Sequence, residues 1–165
     1  MSVGRVLHEL PPLYDERSRV LILGTMPSPK SRELGFYYMH PQNRFWKMLA
    51  SVFDCAVPTT ASERRELCLE HNIALWDVLA SCEIDGASDS SIKGAVPNDI
   101  PALLKKCPIT AVFTTGKKAH ELLLRFFPGI DDVCLPSTSP ANRTISEKDM
   151  LEEYRAIAAA LSRRN

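Results

Sequence analysis

Four short runs of branched apolar residues punctuate the chain, and each leads into turn chemistry or a polar stretch. They are Val20 to Leu23 before Gly-Thr-Met-Pro-Ser, Ile73 to Val78, Thr110 to Thr115 before Gly116, and Val133 to Leu135 before Pro-Ser-Thr-Ser-Pro. Continuous apolar runs this short read as buried strands. Between them the apolar period lengthens to that of a helix, over Asn43 to Phe53, Ala61 to Glu70, Ile100 to Lys106 and Lys117 to Phe127. A last helix is predicted from Leu151 to about Ser162, with a start signal in Ser146 and Asp149 three residues on. Strands alternating with helices predict a parallel sheet covered on both faces, because right-handed crossover helices pack back onto it. The expected architecture is a three-layer α/β/α sandwich. The stretch from Cys82 to Asn98 carries no periodic pattern and reads as a long loop.

With 165 residues, 45% of them hydrophobic and 24% charged, the chain can bury one core, so a single domain over residues 1–165 is expected. No apolar run approaches the roughly 20 residues of a membrane span. The first segment carries Glu9, Pro11, Pro12 and Asp15 where a secretory signal would be apolar, so an intracellular, cytoplasmic protein is expected, nucleoid-associated if bacterial. Five widely spaced cysteines with no CxxC pair fit neither a disulfide framework nor a metal site. The formal net charge of zero excludes coating of nucleic acid by bulk electrostatics. A local basic face stays open, since Lys30, Arg32, Arg44, Lys93, Lys117, Lys118 and Arg143 fall near the expected loops, interspersed with acidic residues.

In open α/β sheets the ligand crevice lies beyond the carboxyl ends of the strands, so the loops beginning at Gly24, Leu79, Gly116 and Pro136 are the ones to inspect. Gly24-Thr25-Met26-Pro27-Ser28 lacks the spacing of nucleotide-binding loops and implies no cofactor. Tyr37 and Tyr38 lie upstream of the helix that starts near Pro41, where they suit either stacking on a flat ligand or core filling. Phe45 and Trp46 carry the spacing of a buried helix face. Pro41 at the first helical turn would place Asn43 within that turn, as a solvated polar residue or as a holder of water. His40 reads as a turn residue or a base. Pro136-Ser137-Thr138-Ser139-Pro140-Ala141-Asn142-Arg143 is a stiff loop rich in donors, able to meet phosphate or wedge into a groove.

Taken together, Gly24 to Ser28, Tyr37 to Trp46 and Leu135 to Asn142 resemble the uracil-DNA glycosylase superfamily, most closely its hypoxanthine-DNA (deoxyinosine) glycosylase branch. Trp76-Asp77-Val78 and Asp89-Ser90-Ser91-Ile92-Lys93 also look like this branch. The resemblance implies a four-stranded parallel sheet of order 2-1-3-4 and a base-excision enzyme of DNA repair that flips a damaged base into a pocket, without metal or cofactor. Several relatives carry Asp, Asn or Glu in the first loop to position the attacking water, and this chain has Met26. The resemblance moves that polar role to Asn43 and makes Tyr38 the base-stacking aromatic, with Tyr37 and His40 beside it. It also makes the first-loop residues Gly24, Thr25, Met26, Pro27 and Ser28 a base-binding wall. Lys117, Ser137, Thr138, Ser139, Asn142 and Arg143 are the implied DNA contacts. Asp89, Ser90 and Ser91 would border the pocket without an assigned role. The implied partner is double- or single-stranded DNA containing a deaminated base, met by a monomer. A uracil or mismatch glycosylase, a lesion-binding protein that does not cut, and a generic α/β ligand-binding domain are the other readings. Lys117 would be either a phosphate contact at a helix start or a Schiff-base former with lyase chemistry.

Overall fold

The computed structural model of the protein describes residues 4–8, 10–85 and 91–162. In chain order its first elements are β1 (Gly4–Leu7), β2 (Val20–Gly24), α1 (Pro29–Leu34), α2 (Phe45–Val52), α3 (Ala61–Glu70), β3 (Ile73–Asp77) and β4 (Leu79–Ile84). They are followed by β5 (Lys93–Pro97), α4 (Ile100–Lys106), β6 (Ala111–Thr115), α5 (Lys117–Phe126), β7 (Val133–Leu135) and α6 (Glu147–Ser162). Four strands form a parallel sheet of order β3-β2-β6-β7, which is the expected 2-1-3-4 order among the sheet's own strands.

The central strand β2 is buried along its whole length, and its side chains alternate between two cores. Val20 and Ile22 join Phe45, Leu49, Phe113, Met150 and Tyr154 on the face covered by α2 and α6. Leu21 and Leu23 join Ile100, Leu103, Leu122 and Leu123 on the face covered by α4 and α5. Sequence order reverses between β2 and β6, so the crevice opens where Gly24 and Thr115 end neighbouring strands.

The structure departs from the sequence reading in several places. A second sheet of order β1-β4-β5, wholly antiparallel, was not predicted, and the end of β4 and all of β5 fall in the stretch from Cys82 to Asn98 that read as a long loop. Leu79 therefore begins a strand, and Val78 alone separates β3 from β4. Helix α1 was not anticipated; six residues are too few to show a period, yet Ser28 caps it by accepting from Ser31 N at 3.1 Å. Helix α2 starts at Phe45, so Asn43 stands before the helix, and Pro41 lies in the preceding turn. At the other end of the chain α6 starts at Glu147, ahead of the predicted Leu151, and Ser146 Oγ accepts from Asp149 N at 3.1 Å, in keeping with the start signal. Asp89 and Ser90 lie outside the described residues, while Ser91 accepts from Asp85 N at 2.8 Å between β4 and β5.

Candidate active site

A cleft of about 280 Å³ opens at the carboxyl end of the parallel sheet, at the small end of the range for ligand cavities. Gly24 to Ser28, Tyr37, Tyr38, His40, Asn43, Ser137, Thr138 and Ser139 all line it; so do Asp77, from the Trp76-Asp77-Val78 motif but without a predicted role, and Thr115, Ser31 and Ile84, which the sequence did not single out.

Tyr38 is the most constrained side chain in the cleft. Its ring stacks on Phe45, with centroids 3.8 Å apart and planes 16° from parallel, and meets Trp46 edge-on. Its hydroxyl lies 3.2 Å from Thr115 Oγ1 at the end of β6. The backbone at Tyr38 has φ +53°, a left-handed conformation that costs a bulky residue roughly 1–2 kcal/mol. Trp46 offsets it: its Nε1 donates to the carbonyls of both Tyr37 and Tyr38, at 3.2 and 3.1 Å. Phe45 and Trp46 are thus buried packing that fixes the aromatic loop. Tyr37 is buried, and its hydroxyl donates to the Pro11 carbonyl at 2.8 Å, so it is a wall of the cleft. Burial, and then the charge of Asp77, hold both phenols far above their ordinary tyrosine value and keep them neutral.

Asn43 projects from the turn before α2. Its Oδ1 accepts from Phe45 N at 2.9 Å, which fixes the amide while leaving a second lone pair on that oxygen. Among the described residues its Nδ2 has no partner. His40 is a turn residue: Nδ1 accepts from Gln42 N at 3.1 Å, which puts the ring hydrogen on Nε2. Ser28 Oγ donates to Ser31 Oγ, and Ser31 Oγ accepts from Met39 N at 3.0 Å, tying the first loop to the aromatic one.

The last loop is braced from inside the protein. Arg44 N donates to the Thr138 carbonyl at 3.1 Å, and its guanidinium reaches the carbonyls of Ser139 and Asn142 at 2.9 and 2.6 Å. Tyr154, on α6, donates to the Pro136 carbonyl at 2.6 Å. The amide of Asn142 is spent within the loop, donating to Ser137 O and accepting from Thr144 Oγ1. Arg32 donates to Pro27 O. Two arginines of the expected basic face are therefore loop braces. Lys117 and Asn142 line a neighbouring cavity of about 530 Å³ that shares Ser137 with the cleft, and Arg143 is exposed. Gly116, at φ +103°, lets the third loop approach the fourth, since a Cβ there would stand 3.2 Å from Ser137 Cβ.

Asp77 ends β3 opposite Gly24 on β2. It is 3% exposed, and its Oδ2 lies 2.8 Å from Nε2 of His8, whose side chain is buried just past β1. The sequence reading carried the strand on to Val78 and looked beyond it, although the rule that places the crevice at strand ends points at Asp77 itself. Nothing in the sequence announces His8, which is 69 residues away.

Fold and cleft together define an α/β domain with a small cleft at the carboxyl edge of its sheet, walled by a clamped tyrosine and a fixed amide. Residues 11–161 match the Uracil DNA glycosylase superfamily. The chain is 35% identical over 151 residues to the Hypoxanthine DNA glycosylase of Methanosarcina acetivorans, covering 89% of this chain and 94% of that one. It is also 35% identical over 137 residues to the Hypoxanthine DNA glycosylase of Methanosarcina barkeri, covering 81% and 86%. A solution NMR structure from Methanosarcina acetivorans, provisionally designated a uracil DNA glycosylase, superposes with a TM-score of 0.74 at 29% identity, covering 90% of this chain and 96% of that one. The chain belongs to the uracil DNA glycosylase superfamily, and it is a DNA glycosylase.

Proposed function

We propose that this enzyme is a monofunctional glycosylase of base excision repair that releases hypoxanthine from deoxyinosine in DNA, as a monomer. One observation carries the reading: a tyrosine locked against Phe45 and an amide locked by Phe45 N share a cleft whose first loop offers Met26 in place of a polar side chain. The names of the two Methanosarcina relatives favour hypoxanthine over uracil.

Base release develops positive charge on the sugar and negative charge on the leaving base, so it needs an extruded nucleotide, a held water and donors toward the base. Extrusion costs a few kcal/mol, least for a weakened pair. Stacking on Tyr38 returns about 1–3 kcal/mol. Asn43 holds the water through the remaining lone pair of Oδ1; a neutral amide is a negligible base, so its contribution is orientation. Amides of the first loop supply donors toward the base. The hydroxyls of Ser137 and Ser139 are the DNA contacts at the rim, with Lys117 and Arg143 further along the backbone. Lys117 lines the neighbouring cavity, which favours its reading as a phosphate contact over Schiff-base chemistry.

The test is incubation with duplexes carrying hypoxanthine, uracil or a thymine mismatch, with and without alkali. Hypoxanthine strands should break, and only after alkali. Breakage without alkali would make the enzyme a lyase, preferential breakage at uracil would reassign the substrate, and tight binding without cleavage would make the protein a lesion sensor.

A further inference from the structure

Asp77 is a buried carboxylate with one oxygen unaccounted for. His8 takes Oδ2, while Oδ1 has no hydrogen-bond donor among the described residues and stands at the cleft wall beside Gly24. A methyl group at Gly24 would collide with Oδ1 and approach the Tyr38 hydroxyl to 3.3 Å, so glycine is what leaves this oxygen uncovered. Buried carboxylates ordinarily collect several donors, and one left short inside a ligand cleft is an acceptor awaiting a ligand. Among the described residues the His8 ring makes its hydrogen bond to Asp77: Nε2 bonds the carboxylate, and Nδ1 is buried without a partner. The tautomer with hydrogen on Nε2 satisfies the pair and leaves Nδ1 a bare acceptor.

We propose that Asp77 and His8 form a hydrogen-bond selector for deaminated bases: Asp77 Oδ1 accepts the ring N–H that deamination creates, and His8 is the positioning residue that aims it. The inference rests on the glycosylase reading and deepens it. In adenine the ring nitrogen N1 is a lone-pair acceptor; in hypoxanthine it carries hydrogen. A carboxylate accepts and never donates, so it pairs with the second and opposes the first. A site built to bond a ligand N–H rejects a ligand lacking it strongly, because its own buried group is left unpaired. The arrangement also carries a cost, since a negative charge beside the base opposes the charge that base acquires on leaving. Replacing the carboxylate should therefore relax the choice of base more than it slows release.

The experiment is single-turnover excision from duplexes carrying hypoxanthine, unsubstituted purine or adenine. Wild-type protein should favour hypoxanthine over purine. Asp77→Asn, whose amide can donate to a bare N1, should narrow that ratio by about tenfold or more. Comparing two substrates on one preparation makes the ratio independent of the fraction that folds. His8→Ala should slow hypoxanthine release about tenfold while DNA affinity is retained, and His8→Gln, which still offers an N–H, should recover most of that loss. An unchanged ratio in Asp77→Asn, or a His8→Ala protein that cleaves like wild type, overturns the selector alone. A wild-type protein that releases no base overturns the glycosylase reading and the selector with it.

Discussion

Residues in this cleft are positioned by neighbours that never touch the ligand, and Trp46 is the clearest case. Its indole N–H meets two consecutive carbonyls and holds Tyr38 in a backbone conformation it would otherwise avoid. Trp46→Phe keeps much of the packing and removes the donor, so it should cost about 1–2 kcal/mol in denaturant unfolding and slow excision through Tyr38. Unaltered stability and rate would remove the strained tyrosine from the account. Spacing in the sequence separates Tyr38, in a loop, from Phe45 and Trp46 on a buried helix face, whereas the roles given to Tyr38 and Asn43 came from the family resemblance, and spacing set Asn43 inside a helix that begins two residues later. It could not reach the His8 to Asp77 bond, which joins the residue after β1 to the end of β3 in the other sheet, across 69 residues. Nor could it show that the amide of Asn142 and the guanidinium of Arg44 are occupied by loop carbonyls, because composition records charges and not where they are spent.

Among elements, the parallel sheet was legible and the antiparallel one was not, for a physical reason. β2 is buried on both faces and reads as unbroken apolar sequence, whereas β5 is Lys-Gly-Ala-Val-Pro, with Lys93, Gly94 and Val96 exposed, and shows neither alternation nor an apolar run. That second sheet matters to the site, since β4 ends in the cleft residue Ile84 and β1 leads into His8. The last loop draws its order from Arg44 at the start of α2 and Tyr154 on α6. Arg44→Ala should leave global stability within about 1–2 kcal/mol yet reduce excision roughly tenfold by loosening the hydroxyls at the cleft rim. Parallel measurement of unfolding and single-turnover rate checks it; a fall in stability alone would make Arg44 a scaffold residue without bearing on the site.

At the scale of the whole molecule, three phenols, those of Tyr37, Tyr38 and Tyr154, are held neutral chiefly by burial. Their folded values are raised, so the stability they confer is complete below the ordinary tyrosine value of about 10 and declines above it as the unfolded chain gains the freedom to ionise. Denaturation midpoints should therefore fall steadily from about pH 9.5 to 11, and Tyr154→Phe should flatten that fall; a midpoint indifferent to pH in this range would contradict the burial described. The same molecule is formally neutral and commits Arg32 and Arg44 to its own loops, so shape and hydrogen bonding at the cleft must carry much of its recognition of DNA. The most direct test of the whole account is the release of free hypoxanthine, quantified by chromatography, from a deoxyinosine duplex under single-turnover conditions with wild-type protein and Asn43→Ala. The wild type should release the base, and the variant should release it roughly 10²-fold more slowly at undiminished DNA binding. Equal rates for the two proteins, or no hypoxanthine from either, would contradict the account.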